Sequence, residues 1–382
     1  MKVGLVGKPN VGKSTFFRAS TLIEVEIADY PFTTIEANKG YAYVRVECPD
    51  KKFGLTCNPN KGFCIDGNRF VPFELVDVAG LVPGASEGKG LGNKFLDDLR
   101  QADCLIHVVD ASGKTDEEGK LCEDHNPLDD IKFLEEEIDK WMLGIIKNNW
   151  RKVLGLEDLS RVLSGLKIKP EEIKGVISKL GFEENPKKWN EEQLKCFVKE
   201  LRRKAKPIVI AANKADHPNA QKYLEKLREI GAIPCSAEIE LALREAARKG
   251  IIKYIPGDGN FEVIDEGKLN QKQRQALDFC RSFLEKFGNT GVQQILNKAV
   301  FEVLKYKVVY PVANQKLQNG KGKVLPDAFL MPPNSTALDL AYAIHSDIGK
   351  KFIAAVNLKT NQRIGKDYIL EDGDIIQIIA GR

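Results

Sequence analysis

Residues 2–15 read KVGLVGKPNVGKST. An apolar run stops at Gly7, and the stretch FFRAST at 16–21 contains no helix breaker, so the predicted order is strand, loop, helix. Gly7 and Gly12 let the loop turn tightly enough for its backbone N–H groups to converge, and the following helix turns its positive end to the same point. The spacing Gly-x4-Gly-Lys-Ser therefore implies a phosphate cradle. Gly7, Lys8, Pro9, Asn10, Val11 and Gly12 form its wall, and Lys13 supplies the counter-charge for β and γ phosphates. Ser14 is the expected Mg²⁺ ligand, and Thr15 is a partner for the α phosphate.

Two later segments gain meaning from this one. DVAG at 77–80 follows the apolar run FELV, which places Asp77 at a strand end where a carboxylate holds a magnesium-bound water, and Gly80 can offer its N–H to a γ phosphate. Upstream, DYPFTT at 29–34 offers Thr33 and Thr34 as hydroxyl ligands for the same ion, Thr34 being preferred. Lys13, Thr34 and Gly80 are thus the groups expected to touch the reacting phosphate.

NKAD at 213–216 also ends an apolar run, PIVIAA. Its Asp216 can accept both the N1–H and the N2–H of guanine, a pair that adenine lacks. Asn213 is expected to tie loops together and the stem of Lys214 to cover the base. In CSAE, Ser236 and Ala237 complete the site, with the Ala237 N–H predicted to reach guanine O6. GTP or GDP with Mg²⁺ is the ligand these residues imply.

The remaining sequence sets the frame. At about 150 residues per domain, 382 residues suggest two or three. With 58 Lys+Arg against 54 Asp+Glu, the net charge of +4 is too small to argue for a nucleic-acid partner. No apolar run reaches the roughly 18 residues of a membrane span, and the first predicted strand begins at Lys2, so a cytoplasmic protein is expected. Of eight cysteines, Cys104 and Cys280 sit in apolar patterns. Cys48, Cys57 and Cys64 fall in a Gly/Pro/Asn-rich hairpin, ECPDKKFGLTCNPNKGFCIDG, that lacks paired Cys-x2-Cys spacing and a nearby histidine. Free thiols, a disulfide and a metal site all stay open for them.

Apolar strands at 2–6, 41–46, 71–76, 105–111 and 207–212 alternate with helical segments, which implies a mainly parallel sheet covered on both faces. About 95 residues separate the last two strands, far more than a connection needs, and Ile131, Leu134, Ile138, Trp141 and Ile145 recur at helical spacing there. A helical insertion over 112–205 follows. From Lys305 the texture becomes β-rich around one helix capped by Ser335 or Thr336, as a small α+β domain would be.

Taken together, these segments resemble the Obg/YchF branch of translation-factor-related GTPases. DYPFTT, the run DVAGLVPGASEGKGLGNKFL at 77–96, the helical insertion and the tail ending in LEDGDIIQII carry the likeness. The resemblance implies a P-loop G domain over 1–304, α/β in class, followed by a β-grasp TGS domain over 305–382. It also implies GTP hydrolysis used as a switch, and ribosomes or ribosomal RNA as partners. The tail holds eleven Lys/Arg against seven Asp/Glu, which suits such a partner but equally a solvated surface. YchF proteins usually degrade the guanine-reading motif and prefer ATP, whereas NKAD here is intact, so guanine specificity is predicted. Leu81 stands where many small GTPases have a water-orienting glutamine, so slow intrinsic turnover is expected. Resemblance to other GTPases with a hydrophobic residue there makes Asn10 a candidate K⁺ ligand, and the glycine-rich run 82–93 is expected to reorder around the γ phosphate. Two alternatives remain: an RNA- or protein-binding scaffold stabilised by nucleotide, and an ATPase. Neither the effector nor the oligomeric state is encoded legibly.

Overall fold

The computed structural model describes residues 1–22, 39–78 and 98–381. Its strands, in chain order, are β1 (Lys2–Val6), β2 (Lys39–Glu47), β3 (Phe63–Ile65), β4 (Asn68–Asp77), β5 (Cys104–Asp110), β6 (Ile208–Asn213) and β7 (Ile233–Pro234). They form one sheet in the order β2-β4-β1-β5-β6-β7, with β3 on β4. Every pairing from β4 through β1, β5 and β6 to β7 is parallel. A parallel sheet must be covered on both faces, and the β5 sequence CLIHVVD is buried at every position, as that demands.

The covering helices are α1 (Lys13–Thr21), α2 (Pro127–Asn148), α3 (Leu156–Leu163), α4 (Pro170–Leu180), α5 (Glu191–Ala205), α6 (Gln221–Glu229), α7 (Ala237–Arg248) and α8 (Gln271–Phe287). The predicted insertion is helical, but its helices begin only at Pro127, where Asn126 accepts the N–H of Leu128 as an N-cap. Ile131, Leu134, Ile138 and Trp141 face inward on α2, while Ile145 is half-buried. Leu134, Ile138 and Trp141, with Phe197 and Leu201 of α5, share a core with Val6, Val76 and Leu105 of the sheet. Arg202, 1% exposed, is held in that layer by Asp139 (2.7 Å) and Glu135 (3.2 Å) of α2. Further along the same strands a second core packs Leu224, Leu243, Cys280 and Phe283 against Val109 and Ala212.

After a short antiparallel pair, β8 (Ile252–Lys253) with β9 (Glu262–Val263), the chain runs through α9 (Val292–Asn297) and a π-helical turn, Lys298–Val303. The last domain has β10 (Lys307–Val312), β11 (Phe329–Met331), β12 (Phe352–Asn357), β13 (Gln362–Ile364) and β14 (Asp374–Ala380) in the order β11-β10-β14-β12-β13, with α10 (Ala337–Ile344) between. Only β10 and β14 pair in parallel, and Leu340 of α10 packs on Val309, Ala355 and Ile376. One parallel pair at the centre of a mixed sheet with a helix laid across it is the β-grasp arrangement. Thr336, one of the two predicted caps, closes a capping box with Asp339.

Among the described residues the chain forms two compact units: 1–22, 39–40, 74–78 and 98–295 in one, 41–73 and 296–381 in the other. The cysteine hairpin therefore folds in the unit that contains the β-grasp sheet. All eight cysteines are free thiols. Among the described residues no helix is long and apolar enough to cross a membrane.

Candidate functional site

The sequence motifs of the first unit meet at the carboxyl ends of β1, β5 and β6, where parallel sheets present their crevice. Gly7 sits so close to β5 that an added Cβ would lie 2.6 Å from the Val108 carbonyl oxygen. Gly12 has φ of +88°, and a Cβ there would meet Asn213 Nδ2 at 2.4 Å. Both glycines are demanded by the backbone path itself.

A cleft of about 560 Å³ opens above this loop. Lys8, Pro9, Asn10, Gly12, Lys13, Ser14 and Thr15 line one side, and Asn213, Lys214, Asp216 and Ser236 the other. The parallel register sets Leu5 beside Asp77, and Lys13 Nζ reaches across to the Asp77 carboxylate and to the Val78 carbonyl oxygen at 2.9 Å. The phosphate-loop cation and the strand-end acid are thus neighbours.

Asn213, 2% exposed, is the joint of the site. Its Nδ2 donates to the Val11 carbonyl oxygen at 2.8 Å, and its Oδ1 accepts the Ala237 N–H at 3.0 Å. One side chain thereby fixes the phosphate loop to the loop before α7. This differs from the expectation for Ala237, whose N–H is spent on Asn213 rather than presented to a base. Ser236 is also turned inward: its Oγ accepts the Ile239 N–H at 3.2 Å as the cap of α7, and its N–H donates to Thr290 O at 3.0 Å. Behind it Glu240, fully buried, accepts from Arg244 Nε (2.5 Å), the Tyr254 hydroxyl (2.8 Å) and the Thr290 hydroxyl (2.5 Å). Burial and the Glu240 charge together hold the Tyr254 phenol protonated, well above its usual range.

Lys214 takes a left-handed backbone, φ +60°, and its Nζ donates to Asp110 Oδ2 at 2.8 Å. Asp110 ends β5 and also accepts from the Ser112 N–H and the Thr115 hydroxyl, each at 3.0 Å. Burial alone would raise this carboxyl, yet the Lys214 and Ser112 hydrogen bonds outweigh it and keep the group below the ordinary carboxylate range.

Two residues of the predicted cradle point elsewhere with their side chains. Lys8, 7% exposed, donates to Thr115 O at 2.8 Å and pairs with Asp130 at 2.7 Å, so its charge is used inside the protein. Burial raises the Asp130 carboxyl even with Lys8 and His125 beside it. Asn10, at φ +63°, donates its amide to Gly119 O at 2.9 Å. Both contacts run to the segment 111–125, which braces the phosphate loop and was missed by a reading that assigned 112–205 to helices. Asp110 and Glu238, the latter also lining the cleft, were missed too. Asp110 had a signal, since it ends an apolar strand as Asp77 does. Thr33, Thr34, Gly80, Leu81 and the run 82–93 lie outside the described residues.

Family models match at residues 2–143 (50S ribosome-binding GTPase), 211–314 (Obg-like GTPase YGR210-like, G4 motif-containing domain) and 317–380 (TGS domain). A GTP-binding protein of Methanocaldococcus jannaschii is 52% identical over 391 residues, covering 99% of this chain and 98% of that one. The ribosome-binding ATPase YchF of Bacillus subtilis is 29% identical over 417 residues, covering 98% of each. The crystal structure of a GTP binding protein from Pyrococcus horikoshii OT3 aligns over the whole of both chains with a TM-score of 0.77 and 39% identity.

Proposed function

Because this chain belongs to the Obg/YchF family of P-loop GTPases with a C-terminal TGS domain, we propose that it binds guanine nucleotide and hydrolyses GTP to GDP and phosphate as a switch on ribosomal particles. The observation that carries this reading is the Asn213 joint. It sets Asp216 and the glycine cradle in one cleft, with Gly12 left bare at the point where a side chain would strike Asn213. In this reading the G domain spans 1–304 and the TGS domain 305–382.

In this reading Asp216 reads the base through the two N–H groups of guanine, and the Lys214 stem, steadied by Asp110, covers it. Lys13 leaves its contact with Asp77 to meet the phosphates, and the N–H groups of 7–13 share their charge. The Asp77 carboxylate, released when Lys13 turns to the phosphates, and the exposed Ser14 hydroxyl are oxygen donors of the kind a hard cation takes, so Ser14, Thr34 and Asp77 would hold Mg²⁺. When bound, that ion neutralises charge on the β and γ phosphates. Gly80 offers its N–H to the γ phosphate. Asn10 is retained as a candidate K⁺ ligand through its amide oxygen, because its nitrogen is committed to Gly119. Leu81 cannot polarise water, so turnover without a partner is slow.

An ATPase is the second reading. It is favoured by the name of the B. subtilis relative and by the commitment of the Ala237 N–H to Asn213, which leaves O6 without its expected donor. Multiple-turnover phosphate release from GTP and from ATP, with and without ribosomes, tests the proposal. GTP turnover stimulated by ribosomes and lost in Lys13→Ala is the expected result. ATP preferred over GTP would establish the second reading, and no release under any condition would reduce the nucleotide to a structural role.

A further inference from the structure

We propose that Cys48, Cys57, Cys64 and Asp50 form a tetrahedral zinc site that pins the 48–66 hairpin to the loop preceding β11 within the second unit. The three thiols are far apart in spacing, Cys-x8-Cys-x6-Cys, but the fold gathers them: Cys48 follows β2, Cys64 lies in β3, and Cys57 lies in the loop between. Their sulfur atoms and one carboxylate oxygen of Asp50 all lie within 4.8 Å of one another. Ligands at tetrahedral zinc, with Zn–S about 2.3 Å, stand roughly 3.8 Å apart, so this cluster needs only a slight contraction around one ion. Such spacing suits a mononuclear site. One disulfide would leave a third buried thiol unpaired.

Burial and orientation support a built site. Cys48 is fully buried, Asp50 is 5% exposed and Cys57 is 7% exposed. Asp50 is aimed by its own backbone surroundings, Oδ1 accepting the Lys51 N–H at 2.8 Å and Oδ2 the Cys57 N–H at 3.2 Å, which leaves each oxygen a further lone pair. Three thiolates and a carboxylate carry more negative charge than a divalent ion removes. Arg69, fully buried and opposite Cys64 in the β3–β4 ladder, supplies part of the balance. Its Nε and the hydroxyl of the buried Tyr310 have no hydrogen-bond partner among the described residues. Arg69 lies close enough for its charge to act on Cys57, and Tyr310 close enough to feel Cys48 and Cys64.

The site has something to hold. The short 3₁₀ turn Pro49–Phe53 and the loop after it contribute little core, with Phe53 and Leu55 facing solvent. Yet that loop carries a precise docking pattern. The Asn58 N–H donates to Val324 O and the Asn60 N–H to Pro326 O, both at 2.8 Å, and Arg69 donates to Leu325 O (3.1 Å) and Pro326 O (3.0 Å). A cross-link at Cys57 fixes the strand of chain that makes these bonds. Binding releases the thiol protons to solvent, so affinity rises with pH.

Metal analysis of the full-length chain, purified under reducing conditions without chelator, tests this directly. One zinc per chain is expected, and Co²⁺ substituted for it should give thiolate-to-cobalt charge-transfer absorption. Cys64→Ser should lose most of the metal, whereas Cys196→Ser, at an exposed helical position, should keep all of it. Asp50→Asn keeps the three thiolates and should weaken zinc by at least about tenfold in chelator competition. Removing zinc should speed hydrogen exchange at 55–62 and 322–327. A reduced wild-type chain that takes up neither Zn²⁺ nor Co²⁺, or a Cys64→Ser protein that retains full zinc, would overturn the proposal. If Cys64→Ser does not fold, Asp50→Asn and the cobalt spectrum of the wild type decide the matter alone.

Discussion

Asp216 and Asn213 stand three residues apart and do different work, and their variants should separate. Asp216→Asn replaces an acceptor pair by an amide that can donate to a C2 carbonyl, so the chain should lose guanine nucleotide by roughly 100-fold or more, at about 1.5–3 kcal/mol per charge-assisted bond, and gain xanthosine nucleotide. Competition binding with both nucleotides reads this out, and unchanged preference would remove Asp216 from the base site. Asn213→Ala should instead cost stability without any ligand, because it orphans the buried Val11 carbonyl and Ala237 N–H. A loss of about 2–4 kcal/mol is expected in denaturant unfolding. The glycines, Lys13, Asp77 and the 213–216 run were legible from sequence because each sits at a strand end, where periodicity changes abruptly. Lys8 and Asn10 were legible as positions but not as side chains, since what they bind is the backbone of a loop with no pattern of its own.

At the scale of elements, α7 is held by buried polar chemistry as well as by Ile239 and Leu243 in the apolar core. Glu240 gathers Arg244, Tyr254 and Thr290 in a fully buried cluster just below the Ser236 cap. Glu240→Ala leaves the Arg244 guanidinium buried without its carboxylate, and a destabilisation of about 3–5 kcal/mol is expected in denaturant unfolding. A change below 1 kcal/mol would mean that water replaces the carboxylate readily. The helical insertion was readable from the 3,4 spacing on α2. Its start was not, because the residues 111–125 are polar and form irregular turns, with bonds such as Asp116 N–H to Lys120 O and His125 N–H to Gly113 O, that carry no helical or strand period. For a related reason the sequence left Cys48, Cys57 and Cys64 open between free thiols, a disulfide and a metal site: irregular spacing fits no motif until a hairpin folds it together.

For the whole molecule, the alternation of apolar strands and helices pointed to the parallel sheet, and the β-rich tail around one helix to a small α+β domain that only the family resemblance made a β-grasp fold. What stayed hidden was the company each part keeps: residues 41–73 lie between motifs of the G domain in sequence, yet fold in the unit of the C-terminal sheet. That pairing rests on long-range backbone bonds such as Asn58 to Val324, to which short-range pattern is blind. If nucleotide governs docking to ribosomal particles, cosedimentation with a non-hydrolysable GTP analogue should exceed that with GDP, and equal amounts would argue against a switch. The central claim is that a main-chain cradle and one carboxylate select guanine nucleotide, and calorimetric titration of the purified chain with GDP, GTP and ATP tests it most directly. One site per chain for GDP and GTP is predicted, with ATP weaker by about 100-fold. Equal affinity for ATP, or no heat with either guanine nucleotide, would contradict it.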